Sequence, residues 1–380
     1  MMFSLLLFCL LLFLSGGGSE KPICTYNEMG EAAGRWIYIN DTSTRKSFRC
    51  CGGDGNDWQE PSLSNFCRSN ETLLTSGRGC FCDELLFTRH TVSEREKYVW
   101  VTDRCKTLQW NATYFCELLG NRTLLLLGDS TMRQTASTLR TMIQHDIPVG
   151  RCGMQVMNRD SDFLVDWNRL DPPPNLPERS TSYMEHVEEI KPDILVLATG
   201  AHYLNLDTYK SMWHVLHESI DKFRSTYSHP PKFIWKTQNP GHHGCRTGGK
   251  EKPLSNISEF VQIDDKNKWN LHRTYDEIAK TMSAQIGMSL IDMSPLYLRV
   301  DGHPGYLAYD VHGGDCLHYC MPGPLDIFSI FMMHMLRESE NYTSVTNSVN
   351  DDDYIEKAEN FVLSLHHTET SSSPVSRGRR

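Results

Sequence analysis

Residues 124–134, Leu-Leu-Leu-Leu-Gly-Asp-Ser-Thr-Met-Arg-Gln, contain the pattern that decides the fold. Four consecutive leucines predict a strand buried on both faces, and Gly128 permits a sharp turn after it. Apolar residues at helical spacing then predict a helix from Thr131 to Gln144. Ser130 therefore lies at a strand-to-helix turn, a rigid seat that suits a nucleophile. On this stretch alone, a helix cap is the simpler interpretation of the serine.

Composition is that of a globular protein, with 380 residues of which 39% are hydrophobic and 22% are charged. This length suffices for one large domain, or for one domain with an appended subdomain. The formal net charge is −9, and no long basic run is present. Nucleic acid and anionic membrane surfaces are therefore not expected as partners.

The amino-terminal segment is apolar almost throughout from Phe3 to Leu14 and is followed by a Ser- and Gly-rich stretch. A membrane span needs ~20 apolar residues, so residues 1–18 are predicted to be a signal peptide. Because no Lys or Arg precedes the apolar run, a short signal anchor is the alternative. Contact with a membrane is expected only through such an anchor.

Cysteine usage and glycosylation sequons both indicate the secretory pathway, either the Golgi lumen or the extracellular space. Thirteen cysteines are present, and Cys9 falls in the predicted signal, which leaves an even number for a disulfide framework. Six N-x-Ser/Thr sequons are candidate glycosylation sites. They are Asn40, Asn70, Asn111, Asn121, Asn256 and Asn341.

Three regions follow the signal. Residues 24–120 carry eight cysteines and are rich in Gly, Asn and Ser, which predicts an N-terminal, Cys-rich subdomain stapled by disulfides. The close spacing of Cys80 and Cys82 also suggests a metal site, but zinc sites usually have two or more intervening residues, so disulfides are favoured. Residues 121–340 form the predicted catalytic domain, and residues 344–380 a disordered tail.

Strands and helices alternate in the predicted catalytic domain, which indicates an α/β fold with a mostly parallel central sheet. Further strands are predicted at 193–200, 232–237 and 288–293, with helices at 209–227, 269–286 and 325–337. Ligands of such sheets bind beyond the carboxyl ends of the strands. Ser130 and the loops at 200–205 and 238–245 all follow strand ends, so we expect them to converge.

A second motif, Asp315-Cys316-Leu317-His318, supplies the groups that a serine nucleophile needs. A base must lie within ~2.6–3.2 Å of the serine, and a third group must orient that base. Asp315 and His318 are three residues apart, so one turn can direct both side chains to a common point. Cys316 and Cys320 can hold this loop in place through disulfides. Together, the two motifs favour Ser130 as a nucleophile over Ser130 as a cap.

Gly128-Asp129-Ser130 and residues 315–323 (Asp-Cys-Leu-His-Tyr-Cys-Met-Pro-Gly) resemble the PC-esterase family of SGNH/GDSL-type enzymes. Its relatives include the plant trichome birefringence-like polysaccharide O-acetyltransferases and the sialate O-acetyltransferase luminal domain. The likeness covers roughly residues 98–337. It implies an SGNH-hydrolase-like three-layer sandwich with Ser130 as nucleophile, His318 as base and Asp315 as orienting acid.

The same resemblance places candidate oxyanion or substrate residues after the second predicted strand. Residues 199–203, Thr-Gly-Ala-His-Tyr, resemble the T-G-x-H-W form of the acetyltransferase branch. Gly200 and the Ser130 N–H are the candidate oxyanion donors, while His202 stands where many SGNH enzymes carry a donor Asn. Arg133, one helical turn beyond Ser130, is either a pocket residue or a solvated arginine.

Two other motifs are rejected. Residues 244–250 resemble a P-loop, but Glu251 replaces the Mg-binding Ser/Thr. His242, His243 and Cys245 have the composition of a metal site, but a disulfide from Cys245 is favoured, and we expect Cys316 to be its partner. No metal site is predicted.

The predicted function is a serine-dependent acyl-ester enzyme. The resemblance implies an O-acetyltransferase that acts on glycan hydroxyls through an acyl-serine, with an acetyl donor as co-substrate and no bound cofactor. A secreted carbohydrate or carboxylic-ester acetylesterase uses the same triad and remains an alternative. A noncatalytic glycan-binding module on the same fold is the other alternative; the presence of all three triad residues argues against it.

Overall fold

The computed structural model describes residues 21–30, 34–40, 94–147, 151–173, 182–243, 245, 252–261, 263–264, 266–303, 315–320 and 323–339. The predicted signal at 1–18, the predicted tail at 344–380 and the cysteines between residues 41 and 93 lie outside these ranges. Among the described residues, no helix combines the length and the apolar character that a membrane crossing requires.

Seven strands and seven α-helices form in the described residues. The strands are β1 (Gly34–Tyr38), β2 (Tyr98–Thr102), β3 (Leu124–Gly128), β4 (Val156–Asp160), β5 (Ile194–Ala198), β6 (Lys232–Lys236) and β7 (Ser289–Ile291). The helices are α1 (Ala112–Leu119), α2 (Ser130–Asp146), α3 (Arg151–Gln155), α4 (Tyr183–Ile190), α5 (Leu206–Thr226), α6 (His272–Gln285) and α7 (Asp326–Ser339).

The central sheet has five parallel strands in the order β4-β3-β5-β6-β7. Strand β3 is internal, and every one of its residues is buried, as four leucines in a row predicted. Its register aligns Gly128 with Asp160 on one neighbour and with Ala198 on the other. The chain segments that follow these three strands therefore leave the sheet at one edge, around Ser130.

Alternate leucines of β3 enter two separate cores, because successive side chains of a strand point to opposite faces. Leu124 and Leu126 pack with α1, α2 and α7, whereas Leu125 and Leu127 pack with α4, α5 and α6. Helices thus cover both faces of a parallel sheet. The predicted α/β three-layer sandwich is confirmed.

The described part of the amino-terminal region packs against the same core. Strands β1 and β2 form an antiparallel pair, and a disulfide joins Cys24, which precedes β1, to Cys105, which follows β2. His334 of α7 contacts both ends of this region: its Nδ1 donates to the carbonyl of Cys24, and its Nε2 accepts from the N–H of Leu108. The Cys24–Cys105 bridge confirms the prediction of a disulfide in the N-terminal region.

Candidate active site

Asp129, rather than Ser130, caps helix α2. The Asp129 Oδ1 accepts hydrogen bonds from the Thr131 N–H at 3.0 Å and from the Thr131 hydroxyl at 2.7 Å. Ser130 is the first residue of the helix itself. The interpretation of Ser130 as a helix cap is therefore wrong, and its side chain is left to make a different contact.

The Ser130 side chain points to the second motif, 188 residues away in sequence. Its Oγ lies 2.9 Å from His318 Nε2, and His318 Nδ1 lies 2.8 Å from Asp315 Oδ2. A carboxylate can only accept, so the Nδ1 of a neutral His318 carries the proton. The free lone pair on Nε2 then accepts from the serine hydroxyl, which is the geometry of a nucleophile with its base and orienting acid.

Asp315 is held in its ionised form. Burial alone would raise the pKa of its carboxyl, but His318 and backbone donors outweigh burial and keep the pKa below its ordinary value. The donors are the backbone N–H groups of Leu317 at 2.9 Å and His318 at 3.0 Å, both to Oδ1. Oδ2 is thus left to orient the imidazole.

The loop carrying Asp315 and His318 is fastened to helix α2 and to the loop after β6. Gln134, one turn beyond Ser130, bonds Tyr319 twice: its Nε2 donates to the Tyr319 carbonyl, and its Oε1 accepts the Tyr319 N–H. The Tyr319 hydroxyl donates to the Pro240 carbonyl at 3.0 Å. The predicted disulfide between Cys245 and Cys316 is present and buried. These contacts fix the base relative to the nucleophile.

The candidate oxyanion donor Gly200 is engaged elsewhere. Its N–H and that of Ala201 both donate to Asp129 Oδ2, each at 3.1 Å. Since an N–H group carries one hydrogen, the Gly200 N–H is not available to an oxyanion in this structure, contrary to the prediction. The absence of a side chain at Gly200 leaves room for the amide end of Gln238, which a methyl group there would displace from the Thr199 carbonyl.

Asp129 carries a charge although it is fully buried. Burial alone would raise the pKa of its carboxyl, but the charge of His202 and the hydrogen bonds from Thr131 and Ala201 outweigh burial and lower it. Its two oxygens join the start of α2 to the loop after β5. The sequence analysis missed this role because it started the helix at Thr131, which made Ser130 rather than Asp129 the candidate cap.

Ser130 N–H remains as an oxyanion donor. No acceptor for it is found among the described residues, as expected for the first N–H groups of a helix. The helix start adds a favourable partial positive charge at this position. Of the predicted donors, this backbone group is the one that the geometry leaves available.

Arg133 and His202 each contact a carboxylate. Arg133 Nη1 is 2.7 Å from Asp160 Oδ2, and both side chains are substantially exposed. His202 Nε2 is 3.4 Å from Asp162 Oδ1. Asp160 ends strand β4 and Asp162 follows it shortly afterwards; neither carboxylate was among the predicted site residues. Both predicted residues are thus committed to carboxylates, and neither contacts the triad through a described hydrogen bond.

The six predicted glycosylation sites differ in their exposure. Asn40, Asn121 and Asn256 are exposed, whereas Asn111 is half-buried and its side chain caps helix α1. Asn70 and Asn341 lie outside the described residues. No cluster of three or more His, Cys, Asp or Glu side chains able to hold a metal ion occurs within the described ranges.

A protein-family model matches the part of the chain that contains Asp315 and His318. Residues 221–335 match the family model described as PC-Esterase, the GDSL/SGNH-like acyl-esterase family found in Pmr5 and Cas1p. The resemblance to the PC-esterase family is confirmed. The matched range includes Asp315 and His318, while Ser130 lies before it.

Relatives that match about two thirds of this chain support the same family. The chain is 24% identical to Arabidopsis thaliana protein trichome birefringence-like 18, over 66% of this chain and 60% of that protein. It is 22% identical to Arabidopsis thaliana protein YLS7, over 64% of this chain and 62% of that protein. Populus trichocarpa xyloglucan O-acetyltransferase 1 is 21% identical, over 63% and 71% respectively. The chain spans about three fifths of the length of the first two relatives.

Among solved structures, a crystal structure of an acetyl xylan esterase aligns with a TM-score of 0.32 and 14% identity. The alignment covers 57% of this chain and 98% of that one.

Proposed function

We propose that this protein is an O-acetyltransferase of the secretory pathway that acetylates glycan hydroxyls through an acyl-Ser130 intermediate. The observation that carries the proposal is the continuous hydrogen-bonded series from Ser130 Oγ through His318 to Asp315, with links of 2.9 and 2.8 Å. A PC-esterase family match and relatives named as O-acetyltransferases support acyl-ester chemistry.

The first half-reaction transfers the acetyl group from a donor to Ser130. His318 Nε2 takes the proton of the Ser130 hydroxyl while Oγ attacks the donor carbonyl, and Asp315 stabilises the imidazolium that forms. The Ser130 N–H donates to the oxyanion of the tetrahedral intermediate. When the intermediate collapses, the bond to the donor breaks and His318 returns its proton to the leaving group.

The second half-reaction releases the acetyl group to an acceptor. His318 removes the proton from a glycan hydroxyl, whose oxygen attacks the acyl-serine, and the proton then returns to Ser130 Oγ. The acetyl donor is a co-substrate in this scheme, and no bound cofactor is required. A glycan acceptor is proposed because relatives of this chain are named for xyloglucan O-acetylation.

A location in the Golgi lumen or outside the cell is proposed from the disulfides and the glycosylation sequons. Disulfides such as Cys24–Cys105 and Cys116–Cys152 form and persist in oxidising compartments. The exposed sequons at Asn40, Asn121 and Asn256 would be accessible to glycosylation there.

Hydrolysis to free acetate is the second candidate function. The His318 side chain is 20% exposed, so water can approach the same base that would activate a sugar hydroxyl. Replacing the acceptor hydroxyl by water changes nothing in the first half-reaction. The two activities therefore differ only in which nucleophile attacks the acyl-serine.

The triad is tested with Ser130→Ala and His318→Ala, assayed on p-nitrophenyl acetate. Loss of nucleophile or base from a serine triad lowers kcat by about 10⁶, so turnover should fall to background. Ser137→Ala is the matched control, because this serine lies two turns along the same helix and bonds only the Arg133 carbonyl. Activity of either triad variant at the level of the control would refute the proposal.

Mass spectrometry of Ser130 separates transfer from hydrolysis. After a brief exposure to the acetyl ester, the protein should carry an acetyl adduct on Ser130. For a transferase, adding a xyloglucan oligosaccharide shortens the lifetime of the adduct and produces acetylated oligosaccharide. For a hydrolase, the adduct decays at the same rate with and without the sugar, and only acetate accumulates.

A further inference from the structure

Two buried histidines lie beneath the loop that carries the triad base. His242 follows strand β6 by a short loop, and His303 follows the 3₁₀ turn at Val300–Gly302. They are 1% and 4% exposed. The His242 backbone N–H donates to the Cys316 carbonyl at 2.9 Å, and the His303 ring contacts the His318 carbonyl. Both residues therefore touch the segment between Asp315 and Tyr319. Neither belongs to the triad.

The two imidazoles form a continuous series between backbone carbonyls. His242 Nε2 lies 2.9 Å from the Tyr297 carbonyl oxygen, and His303 Nδ1 lies 2.7 Å from the His318 carbonyl oxygen. Between the rings, His242 Nδ1 lies 2.6 Å from His303 Nε2. All four ring nitrogens are therefore engaged.

Counting protons shows that this arrangement is incomplete when both rings are neutral. A carbonyl oxygen can only accept, so for both outer contacts to be hydrogen bonds His242 Nε2 and His303 Nδ1 each carry a hydrogen. Each neutral imidazole has one hydrogen, which leaves two bare lone pairs facing each other at 2.6 Å. One additional proton between the inner nitrogens converts this repulsion into a charge-assisted hydrogen bond.

We propose that His242 and His303 share one extra proton, and that the protonated pair is a positioning device that fixes the backbone of His318. The proton comes from solvent, so the pair carries three protons and a single positive charge. The consequence for catalysis rests on the proposed function, because it assumes that His318 is the base; the sharing of the proton does not.

The surroundings limit the pair to one extra proton. Burial lowers the pKa of His242 to about 4 and the pKa of His303 well below its ordinary value, so neither ring readily takes a proton of its own. The charged and titratable groups that face the pair are Asp301, Arg299, His243, His272, Asp315, His318 and Tyr319. Asp301 and Asp315 favour the charge, whereas His243 and His318 oppose it. The short contact between the rings adds a stabilising bond for one proton and none for a second.

Two substitutions keep the outer hydrogen bonds and remove the shared proton. In His303→Asn, the amide nitrogen occupies the position of Nδ1 and still donates to the His318 carbonyl. In His242→Gln, the amide nitrogen occupies the position of Nε2 and still donates to Tyr297. His303→Gln is the opposite case, because its amide reaches His242 but leaves the His318 carbonyl without its donor.

The shared proton is measured directly by NMR of the intact protein with ¹⁵N-labelled histidine, between pH 4 and 8. Signals of the two rings are identified by their absence in His242→Gln and His303→Asn. We expect one protonation step that shifts both inner nitrogens together. Two neutral rings throughout this range, or two separate protonation steps, would overturn the proposal. Recording the same spectra on Ser130→Ala keeps this result independent of whether the proposed function is correct.

The positioning role is measured by the pH profile of kcat on p-nitrophenyl acetate. As pH rises and the shared proton leaves, the facing lone pairs push the rings apart, so kcat of the unmodified protein should fall. His303→Asn and His242→Gln should lack this alkaline fall, and His303→Gln should lower kcat about tenfold at every pH with little change in KM. An alkaline fall that is unchanged in both proton-removing variants would refute the positioning role.

Discussion

Replacing Asp129 by asparagine tests whether this buried carboxylate anchors two segments or only caps one helix. Its Oδ1 accepts from the N–H and hydroxyl of Thr131, and its Oδ2 accepts from the N–H groups of Gly200 and Ala201. An amide has a single acceptor oxygen, so in either orientation one pair of donors faces an NH₂ group. The better orientation turns the NH₂ group towards Thr131, whose hydroxyl can rotate to accept from it, so only the Thr131 N–H loses its partner. A buried donor without a partner costs about 1–3 kcal/mol, which is the stability loss expected for Asp129→Asn.

A purely capping role predicts a smaller change in the free energy of unfolding. Asparagine and aspartate are nearly equivalent at the N-cap of a helix, so a cap alone would change stability by only a few tenths of a kcal/mol. The reverse exchange at Asn205, which caps α5 through a single bond to the Thr208 N–H at 2.8 Å, provides the matched control. The Asn205→Asp variant should stay within about 0.5 kcal/mol of the unmodified protein.

Urea unfolding measures both variants, with the midpoint and slope compared at the same pH. Asp129→Asn should also lower kcat on p-nitrophenyl acetate, because Ser130 is the next residue and its helix would lose its anchor to the β5 loop. A stability loss no larger than that of Asn205→Asp would refute the double-anchor interpretation of Asp129.

Two further predictions concern the disulfides and a buried acid. Removing the Cys245–Cys316 bridge (both to Ser) should cost about 4 kcal/mol of stability, as should removing Cys116–Cys152, since the sequence separations of 71 and 36 residues give similar chain entropies. Thermal unfolding should shift in both variants. Only the first of the two bridges adjoins the triad loop, so kcat on p-nitrophenyl acetate should fall mainly in the variant without it. Equal activity in the two variants would contradict the positioning role of Cys245–Cys316. Burial raises the pKa of Asp276 from 3.8 to about 7, so the folded state binds the proton more tightly than the unfolded state does. The protein therefore loses stability as pH rises from about 4 to about 7, by up to about 4 kcal/mol. Asp276→Asn should flatten this dependence in urea unfolding measured from pH 4 to 8, and an unchanged slope would show that Asp276 is ionised throughout.

The parts of the fold that follow from local sequence were predicted well. Strands β5 and β6 lie within their predicted ranges, and β3 covers the four predicted leucines and Gly128, because fully buried parallel strands are continuous apolar runs. Strand β4 was missed. It is an edge strand with the sequence Val-Met-Asn-Arg-Asp, and its partly exposed positions remove the apolar signal on which the other predictions depended.

The contacts among Ser130, His318 and Asp315 were predictable for a different reason. The three residues belong to two compact motifs, and the chemistry of a serine nucleophile supplies the missing link between them. The contacts of Asp129 with Gly200 and of His242 with His303 join residues 71 and 61 positions apart, and neither pair has a distinctive spacing of its own. Such contacts depend on how the loops beyond the strands pack, which periodicity does not encode.

Gly200 illustrates how a residue can match a family pattern for a reason other than the expected one. The resemblance suggested that its N–H stabilises an oxyanion, yet that hydrogen is donated to Asp129, and the missing side chain leaves room for Gln238. Gln238 in turn donates to the Thr199 carbonyl and is held by the Asp276 carboxylate through its own N–H. Packing thus favours a glycine here whether or not an oxyanion is present. In the proposed mechanism the oxyanion is therefore met from the start of α2, where the Ser130 N–H and the helix dipole act together, so the same Asp129 anchor places both the proposed nucleophile and the proposed oxyanion donor.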